Sequence, residues 1–329
     1  MGVTASVLAI DAGNSKTDVA VVGPDGSVLA SARGHHGFSP PKVGIERAVD
    51  LLAGTVGEAL ERARARGAST DAIEQVSACL ANADLPVEEV ELSAALHARG
   101  WGRTTQVRND TFAILRAGVD EPRGVAVVCG AGINCVGMLP DGRTARYPAI
   151  GKISGDWGGG QGLAEEALWY AARAEDGRGE PTALARTLPE HFGLDSMYAL
   201  IEALHRGTIP YGRTHELTPV LFTTSTAGDP VARHLVRRLA REVVVMSTVV
   251  LERLGLIGQE ASVVLGGGVL AARHPELDAH MAAMMAEKAP KAALSVVTAP
   301  PVLGAALLGL DHTDAPPGAR ARLRAHYAG

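Results

Sequence analysis

Val7-Leu8-Ala9-Ile10-Asp11-Ala12-Gly13-Asn14-Ser15-Lys16-Thr17-Asp18-Val19-Ala20-Val21-Val22 is the stretch that decides how this chain folds. Val7 to Ile10 is an apolar run short enough for a buried strand, and Thr17 to Val22 is a second β-rich run. Between them, Asp11 to Lys16 has turn chemistry. A further turn at Pro24-Asp25-Gly26 leads into a third strand over Ser27 to Ala32, so the chain opens as an antiparallel meander. A turn between two strands can aim successive backbone N–H groups at an anion, and Gly13 permits close approach. Asn14, Ser15, Lys16 and Thr17 add donors, while Asp11 at the strand end can hold a metal ion through water. An ordinary polar hairpin corner is the alternative. The spacing of glycine, lysine and hydroxyl is not that of a P-loop, and no helix follows.

Outward from the meander, Ile45, Val49, Leu52, Val56 and Leu60 repeat with helical period within Gly44 to Arg66. A strand over Ile73 to Leu80, a helix over Val87 to Arg99 and a short strand over Thr105 to Val107 follow, and a helix begins at Thr111. Alternation of this kind predicts a mainly parallel sheet with helices on its faces. The pattern then restarts, with a strand over Gly124 to Cys129, a glycine turn over Gly130 to Asn134, a strand over Cys135 to Leu139 and a hairpin turn at Pro140 to Arg143. Helices are expected near 163–175, 197–205, 230–254 and 302–310, and a buried strand over Ser262 to Leu265. The tail beyond Asp314 reads as a peripheral helix or a partly disordered end.

Four further motifs can carry chemistry. Gly130-Ala131-Gly132-Ile133-Asn134 can hold an anion as the first turn can; it is no dinucleotide fingerprint, because Cys135 stands where a third glycine belongs and a strand follows. Asp110, after Asn109 at a strand end, is either a helix N-cap or a general base for an attacking hydroxyl. Gly151 to Gly162 holds six glycines around Asp156 and Trp157, either as a mobile loop at a cleft or as a surface linker. Gly266-Gly267-Gly268 follows a buried strand, and would let a nucleoside lie against backbone or merely start a helix.

Length and composition bound the rest. With 329 residues, 47% of them hydrophobic and 20% charged, the chain is globular and long enough for two domains. A net charge of -5 gives no pull toward nucleic acid or a membrane surface. No leader or membrane span is expected, and the arginine runs at Arg62–Arg66 and Arg320–Arg324 read as solvated helix faces. Cys79, Cys129 and Cys135 fit no metal spacing and suit buried thiols of a soluble cytoplasmic protein.

In their order these motifs resemble the N-acetylglucosamine kinase and BadF/BadG/BcrA/BcrD ATPase family of the actin-like sugar-kinase superfamily, from Val7 to about Gly309. Asp11 to Thr17 looks like the family's first phosphate motif, Gly130 to Asn134 like its second. Asn109-Asp110 matches the pair whose aspartate is the catalytic base. Gly155-Asp156-Trp157-Gly158-Gly159-Gly160 matches a motif whose aspartate binds sugar hydroxyls. Ala227 to Ala232 matches a turn before a long helix, Gly266-Gly267-Gly268 the adenosine motif, and Gly304-Ala305-Ala306 the closing helix. Departures are Asn14 and Ser15 in the first motif, Trp157 and Gly159 for glutamate and serine in the sugar motif, and Ser39 where amino-sugar kinases offer asparagine. His35 and His36 are further candidates for substrate contact.

The resemblance implies an α/β, actin-like (ribonuclease H-like) duplicated ATPase fold, with two lobes around a nucleotide cleft. An N-terminal lobe over 1–120, with a C-terminal helix of about 302–329 packed back on it, and a C-terminal lobe over 121–301 are expected. It further implies ATP and Mg²⁺ as cofactors, with Asp11 positioning the ion through water and the two turns gripping phosphates. Ser39, Asn109, Asp110, Gly132 and Asp156 would touch the sugar, Asp110 taking the proton of a hydroxyl, O6 by preference. N-acetylglucosamine is the first substrate expected; glucosamine, another hexose or a cyclitol are the alternatives. Homodimers are common in the family. Outside this class stand an iron–sulfur ATPase activator and a non-catalytic sugar sensor.

Overall fold

The computed structural model describes residues 3–328. The chain divides into two compact units. The first takes residues up to Ala126, Val136–Pro148 and everything from Val297; the second takes Val127–Cys135 and Ala149–Val296.

In the first unit, β1 (Val7–Ala12), β2 (Thr17–Val22), β3 (Val28–Gly34), β4 (Gln75–Leu80) and β5 (Thr104–Asn109) form one sheet in the order β3-β2-β1-β4-β5. β1 runs antiparallel to β2, with Ala12 opposite Thr17, and parallel to β4. Every residue of β1, β2 and β4 is buried, because both faces of the sheet are covered and no alternation is needed. The Ile45–Ala65 helix packs on β2 and β3, and the Pro301–Asp311 helix on β1 and β4. That second helix is buried from Val302 to Leu310, and Gly304 lets it touch the Thr111–Gly118 helix: a Cβ there would lie 1.8 Å from the Ala113 carbonyl oxygen.

The two arginine runs are not merely solvated faces. Arg62 and Arg66 donate to the carbonyls of Ser31 and Leu29 at 2.8 and 3.1 Å, on the edge strand β3. The tail forms a helix over Ala319–Tyr327, from which Arg320 and Arg324 bond inward. Long side chains at these positions find backbone carbonyls, a pairing that helical periodicity alone does not reveal.

A second sheet has the order β10-β9-β6-β7-β8, from β6 (Gly124–Cys129), β7 (Ile133–Met138), β8 (Thr144–Arg146), β9 (Ala261–Gly266) and β10 (Ala292–Val296). β7 and β8 are antiparallel, β9 and β10 parallel. In the second unit the Gly159–Glu175 helix packs with helices Leu184–His191, Met197–His205 and Leu217–Thr226, and the Pro230–Arg253 helix with Leu217–Thr226 and Pro275–Lys288. Asp229 explains the turn before the longest helix. Its Oδ1 accepts the Ala232 N–H at 2.8 Å as an N-cap, and its Oδ2 accepts the Ala183 N–H at 2.7 Å, tying two helices together. The glycine run at 151–162 is not one loop: Gly151–Ser154 is a 3₁₀ turn, and the Gly159–Glu175 helix starts inside the run. Among the described residues, no helix is long and apolar enough to cross a membrane.

Candidate active site

The chemistry of the first unit collects at the β1–β2 turn. Asp11, the last residue but one of β1, is buried and stands opposite Asp18 of β2 and Cys79 of β4. Burial pushes its carboxyl up to about 8, helped by the charges of Asp110 and Asp18 and opposed by Lys16 and Arg33. Asp18 carries the local ion pairs, to Arg33 at 2.5 Å and to the half-exposed Lys16 at 3.4 Å. The Thr17 hydroxyl is buried without a partner.

The turn is propped from outside. Gly13 N–H donates to the Lys16 carbonyl at 2.9 Å, and Phe38 N–H to the Gly13 carbonyl at 2.9 Å. Gly37 lies so close that a Cβ would sit 2.0 Å from the Asn14 carbonyl oxygen. Asn82 donates to Asn14 Oδ1 at 3.1 Å and to the Phe38 carbonyl at 2.8 Å. It does so from a left-handed backbone, with φ of 61°, which asparagine tolerates better than most residues. Sequence reading missed Asn82; a polar residue two places beyond the end of β4 was the available signal. His36 turns instead to the Thr55 hydroxyl at 3.2 Å, and His35 is exposed. Ser39 stands at the N-cap of the short Pro40–Val43 helix without a capping bond from its side chain.

Asp110 stands half-buried between β5 and the Thr111–Gly118 helix. It occupies the N-cap position with no capping hydrogen bond from its side chain. Instead Asn109 Oδ1 accepts the Thr111 N–H at 2.9 Å, while Asn109 Nδ2 donates to Asp84 at 2.8 Å. Asn109 is therefore committed to its neighbours and only 2% exposed. Burial pushes the Asp110 carboxyl up to about 6, with Thr111 pulling it partly back by hydrogen bonding. Glu89, absent from the sequence expectations, accepts from the Asn109 N–H at 3.2 Å and from Arg146 at 2.5 Å.

In the second unit three glycine-bearing segments meet backbone to backbone. Gly160 N–H donates to the Gly130 carbonyl at 2.7 Å, and Gln161 N–H to the Ala131 carbonyl at 3.1 Å. At Gly159 (φ +74°) a Cβ would lie 2.5 Å from the Ala131 carbonyl oxygen. At Gly267 (φ +80°) it would lie 2.4 Å from that of Cys129. These two positions need glycine to fold. Gly130 and Gly132 do not, since a Cβ on either meets nothing within 4 Å and neither has positive φ. Gly13 is similar, with only the Lys16 carbonyl at 3.7 Å. Both turns thus keep free space where a side chain could stand, which suits the approach of a ligand to backbone. Asn134 folds back instead, accepting the Cys135 N–H at 2.7 Å.

Two cavities flank the Gly130–Gly132 turn and share Ala131. One, of about 460 Å³, is walled by Gly130, Gly268, Val269, Pro219, Phe222 and His274, mostly apolar surface. Of the three expected nucleoside glycines, Gly268 lines it, Gly267 makes the close approach and Gly266 ends β9. The other cavity, of about 310 Å³, carries the charged and amide side chains of Lys152, Asp156, Gln161, Glu165 and Glu166 beside Trp157 on its wall. Asp156 Oδ2 accepts from the Gly151 N–H at 2.8 Å and the Ser154 hydroxyl at 2.9 Å, which fixes the carboxylate. Arg238 stacks on the Trp157 ring at 4.1 Å. The three cysteines are free and buried, and burial raises all three thiols, Cys129 to about 12.

The chain is similar to known sugar kinases. The N-acetylmuramic acid/N-acetylglucosamine kinase of Clostridium acetobutylicum is 27% identical over 270 residues, 80% of this chain and 85% of the relative. The N-acetyl-D-glucosamine kinase of Dictyostelium discoideum is 24% identical over 315 residues, 92% of this chain and 97% of the relative. A candidate N-acetylglucosamine kinase from Chromobacterium violaceum shares the fold with a TM-score of 0.67 at 22% identity, over 93% of this chain and 99% of the other. A ROK-family glucokinase from Streptomyces griseus does so with a TM-score of 0.54 at 17% identity, over 92% and 98%. The fold is therefore the actin-like α/β fold of sugar kinases. The profile of the BadF/BadG/BcrA/BcrD ATPase family matches residues 8–309, nearly the whole of the chain, and the protein belongs to that family.

Proposed function

We propose that the protein is a sugar kinase that transfers the γ-phosphoryl group of ATP to a sugar hydroxyl, with O6 of N-acetylglucosamine as the acceptor. The observation that carries this reading is the order of features in the second unit: an apolar cavity, a bare glycine turn, then a cavity with carboxylates on its wall. A nucleoside, its phosphates and a polyhydroxyl acceptor need that sequence of surfaces. Use of ATP follows from the family, and the amino sugar from the names of the two relatives.

Asp110 is the general base. With its carboxyl near 6, it is ionised at neutral pH yet basic enough to take a proton. As the sugar oxygen bonds to the γ-phosphorus and the bond to the β,γ-bridging oxygen breaks, the hydroxyl proton passes to Asp110 and ADP leaves. Asn109 positions that carboxylate through Thr111 and Asp84. Ser39, Gly132 and Asp156 bind the sugar, Asp156 accepting from its hydroxyls. Backbone of Gly13–Thr17 and Gly130–Asn134 holds phosphate, with Lys16 as a mobile counter-charge.

The donor set fits magnesium. Asp11 is a buried oxygen donor whose neighbours Asp110 and Asp18 repel its charge, and a dication relieves that repulsion. Among the described residues no group of three or more His, Cys, Asp or Glu forms a protein cage. Asp11 would hold the ion through water, the arrangement usual for Mg²⁺ bound with phosphates. Once bound, the ion neutralises charge on the β- and γ-phosphates. This reaction belongs to the cytoplasm, and a homodimer is the assembly proposed.

ADP release measured with Mg-ATP tests the reading across N-acetylglucosamine, N-acetylmuramic acid, glucosamine, N-acetylmannosamine, glucose and a cyclitol. A large rise with one N-acetylated sugar is expected. A flat panel with slow sugar-independent hydrolysis would overturn the acceptor, and no nucleotide binding would point to a sensor.

A further inference from the structure

The helix that begins just after Asp110 is held at its far end by the C-terminal helix. Thr111–Gly118 has eight residues, so its last carbonyls lie about 12 Å from Asp110 along the axis. Those carbonyls have no partner within the helix and carry its negative end. Arg324 supplies what they lack: its guanidinium donates to the Ala117 carbonyl at 2.8 Å, to that of Arg116 at 3.1 Å, and to that of Val119. Arg116 is itself fully buried, with Asp311 at 2.7 Å and the Val119 carbonyl at 2.8 Å. Arg320, on the C-terminal helix, reaches the same Asp311 at 2.7 Å.

The C-terminal helix is anchored independently of these bonds. Its first residue, Ala319, packs on Gly26, where a Cβ would lie 1.9 Å from the Ala319 carbonyl oxygen, and Arg322 pairs with Asp25 of the same hairpin. Ala319 and Leu323 are the buried residues of this helix. The helix therefore bridges the β2–β3 hairpin and the end of the Asp110 helix. It also lies beyond residue 309, where the family match stops.

We propose that Arg324 is a positioning residue for the base: the C-terminal helix clamps the Thr111–Gly118 helix and so sets where the Asp110 carboxylate stands. This inference rests on Asp110 being the base. Misplacement of a catalytic group by 1 Å can lower turnover about 100-fold, so a cap a few turns away can matter.

The test compares Arg324→Ala, Arg324→Lys and Arg322→Ala in the full-length protein. Arg324→Ala is expected to lower kcat about 10- to 100-fold while the KM for ATP stays within about twofold. Its pH–kcat profile should move on the acid limb, because the surroundings of Asp110 change. Arg324→Lys keeps a donor at the carbonyls and should recover part of the loss, and Arg322→Ala should retain wild-type kcat. Amide hydrogen exchange reads the clamp without reference to turnover: residues 111–118 should exchange faster in Arg324→Ala. Unchanged exchange there overturns the clamp whatever the substrate proves to be. Faster exchange with unchanged kcat and acid limb overturns the positioning role. A fall in kcat that only tracks loss of folded protein, with no recovery by lysine, does the same. Failure of the kinase reading is separate, since it shows as absent phosphoryl transfer in the wild-type protein.

Discussion

Asp110 lies close enough to Asp11 for its charge to help push the Asp11 carboxyl up to about 8, second only to burial as a cause. Two carboxyls that both resist ionising make the apo protein sensitive to pH. A carboxyl raised from about 4 to about 8 in the folded state must take up a proton on folding between those values, so its contribution to stability falls as pH rises through that window and levels off above about 8. Asp11→Asn removes this dependence. Without nucleotide or divalent ion, its Tm should exceed that of the wild type by a margin that grows from pH 5 to pH 8. A margin that is flat or shrinks with pH would count against the placement of Asp11 among carboxylates. The same variant should lose most of its kinase activity.

The base itself gives a steeper test. Asp110→Asn keeps shape and removes proton acceptance, so turnover should fall about 10²–10⁴-fold with nucleotide affinity nearly unchanged. In the wild type, kcat/KM should rise with pH through about 6, the value to which burial brings the free carboxyl. Activity within a few-fold of wild type, or a flat profile from pH 5 to 7, would remove Asp110 from this role.

What was legible in the sequence followed from covered faces and turn chemistry. β1, β2, β4 and β9 are buried runs of matching length, and Val7 to Thr17 showed strand, turn and strand without help from tertiary structure. The Leu184–His191 helix was missed because it is short and carries Pro189 inside it. β10 was missed because Ser295 interrupts its short apolar run and its residues are half-buried or exposed. The glycines at 158–160 read as loop, since nothing local says that Gly159 must admit the Ala131 carbonyl as the helix begins. Asn82 and Arg324 act on backbone 44 or more residues away, and no spacing rule connects them to their partners.

The close approach at Gly267 makes a specific demand on one side of the site. An alanine there meets the Cys129 carbonyl at 2.4 Å and has positive φ, so backbone must shift at the turn between the two cavities. Gly267→Ala should destabilise the protein by about 1–3 kcal/mol and raise the KM for ATP more than that for the sugar. Gly130→Ala meets no protein atom within 4 Å and should leave Tm nearly unchanged while still weakening nucleotide binding. Equal Tm losses in both variants would mean that the turn is built for folding alone.

Trp157 offers a direct view of the cavity that holds Asp156. Its ring lines that cavity beside Asp156 and is stacked by Arg238, whereas Trp101 and Trp169 lie elsewhere in the chain. A sugar entering the cavity changes the polarity around the indole, so intrinsic emission should shift on titration with the true acceptor. In Trp157→Phe that shift should vanish while folding is retained. Asp156→Ala should raise the sugar KM by 10-fold or more, because a fixed carboxylate accepting from hydroxyls contributes about 1.5–3 kcal/mol per charged hydrogen bond; its effect on the KM for ATP should be small. If instead the emission change survives in Trp157→Phe, or if ATP rather than sugar produces it, the 310 Å³ cavity is not where the acceptor binds.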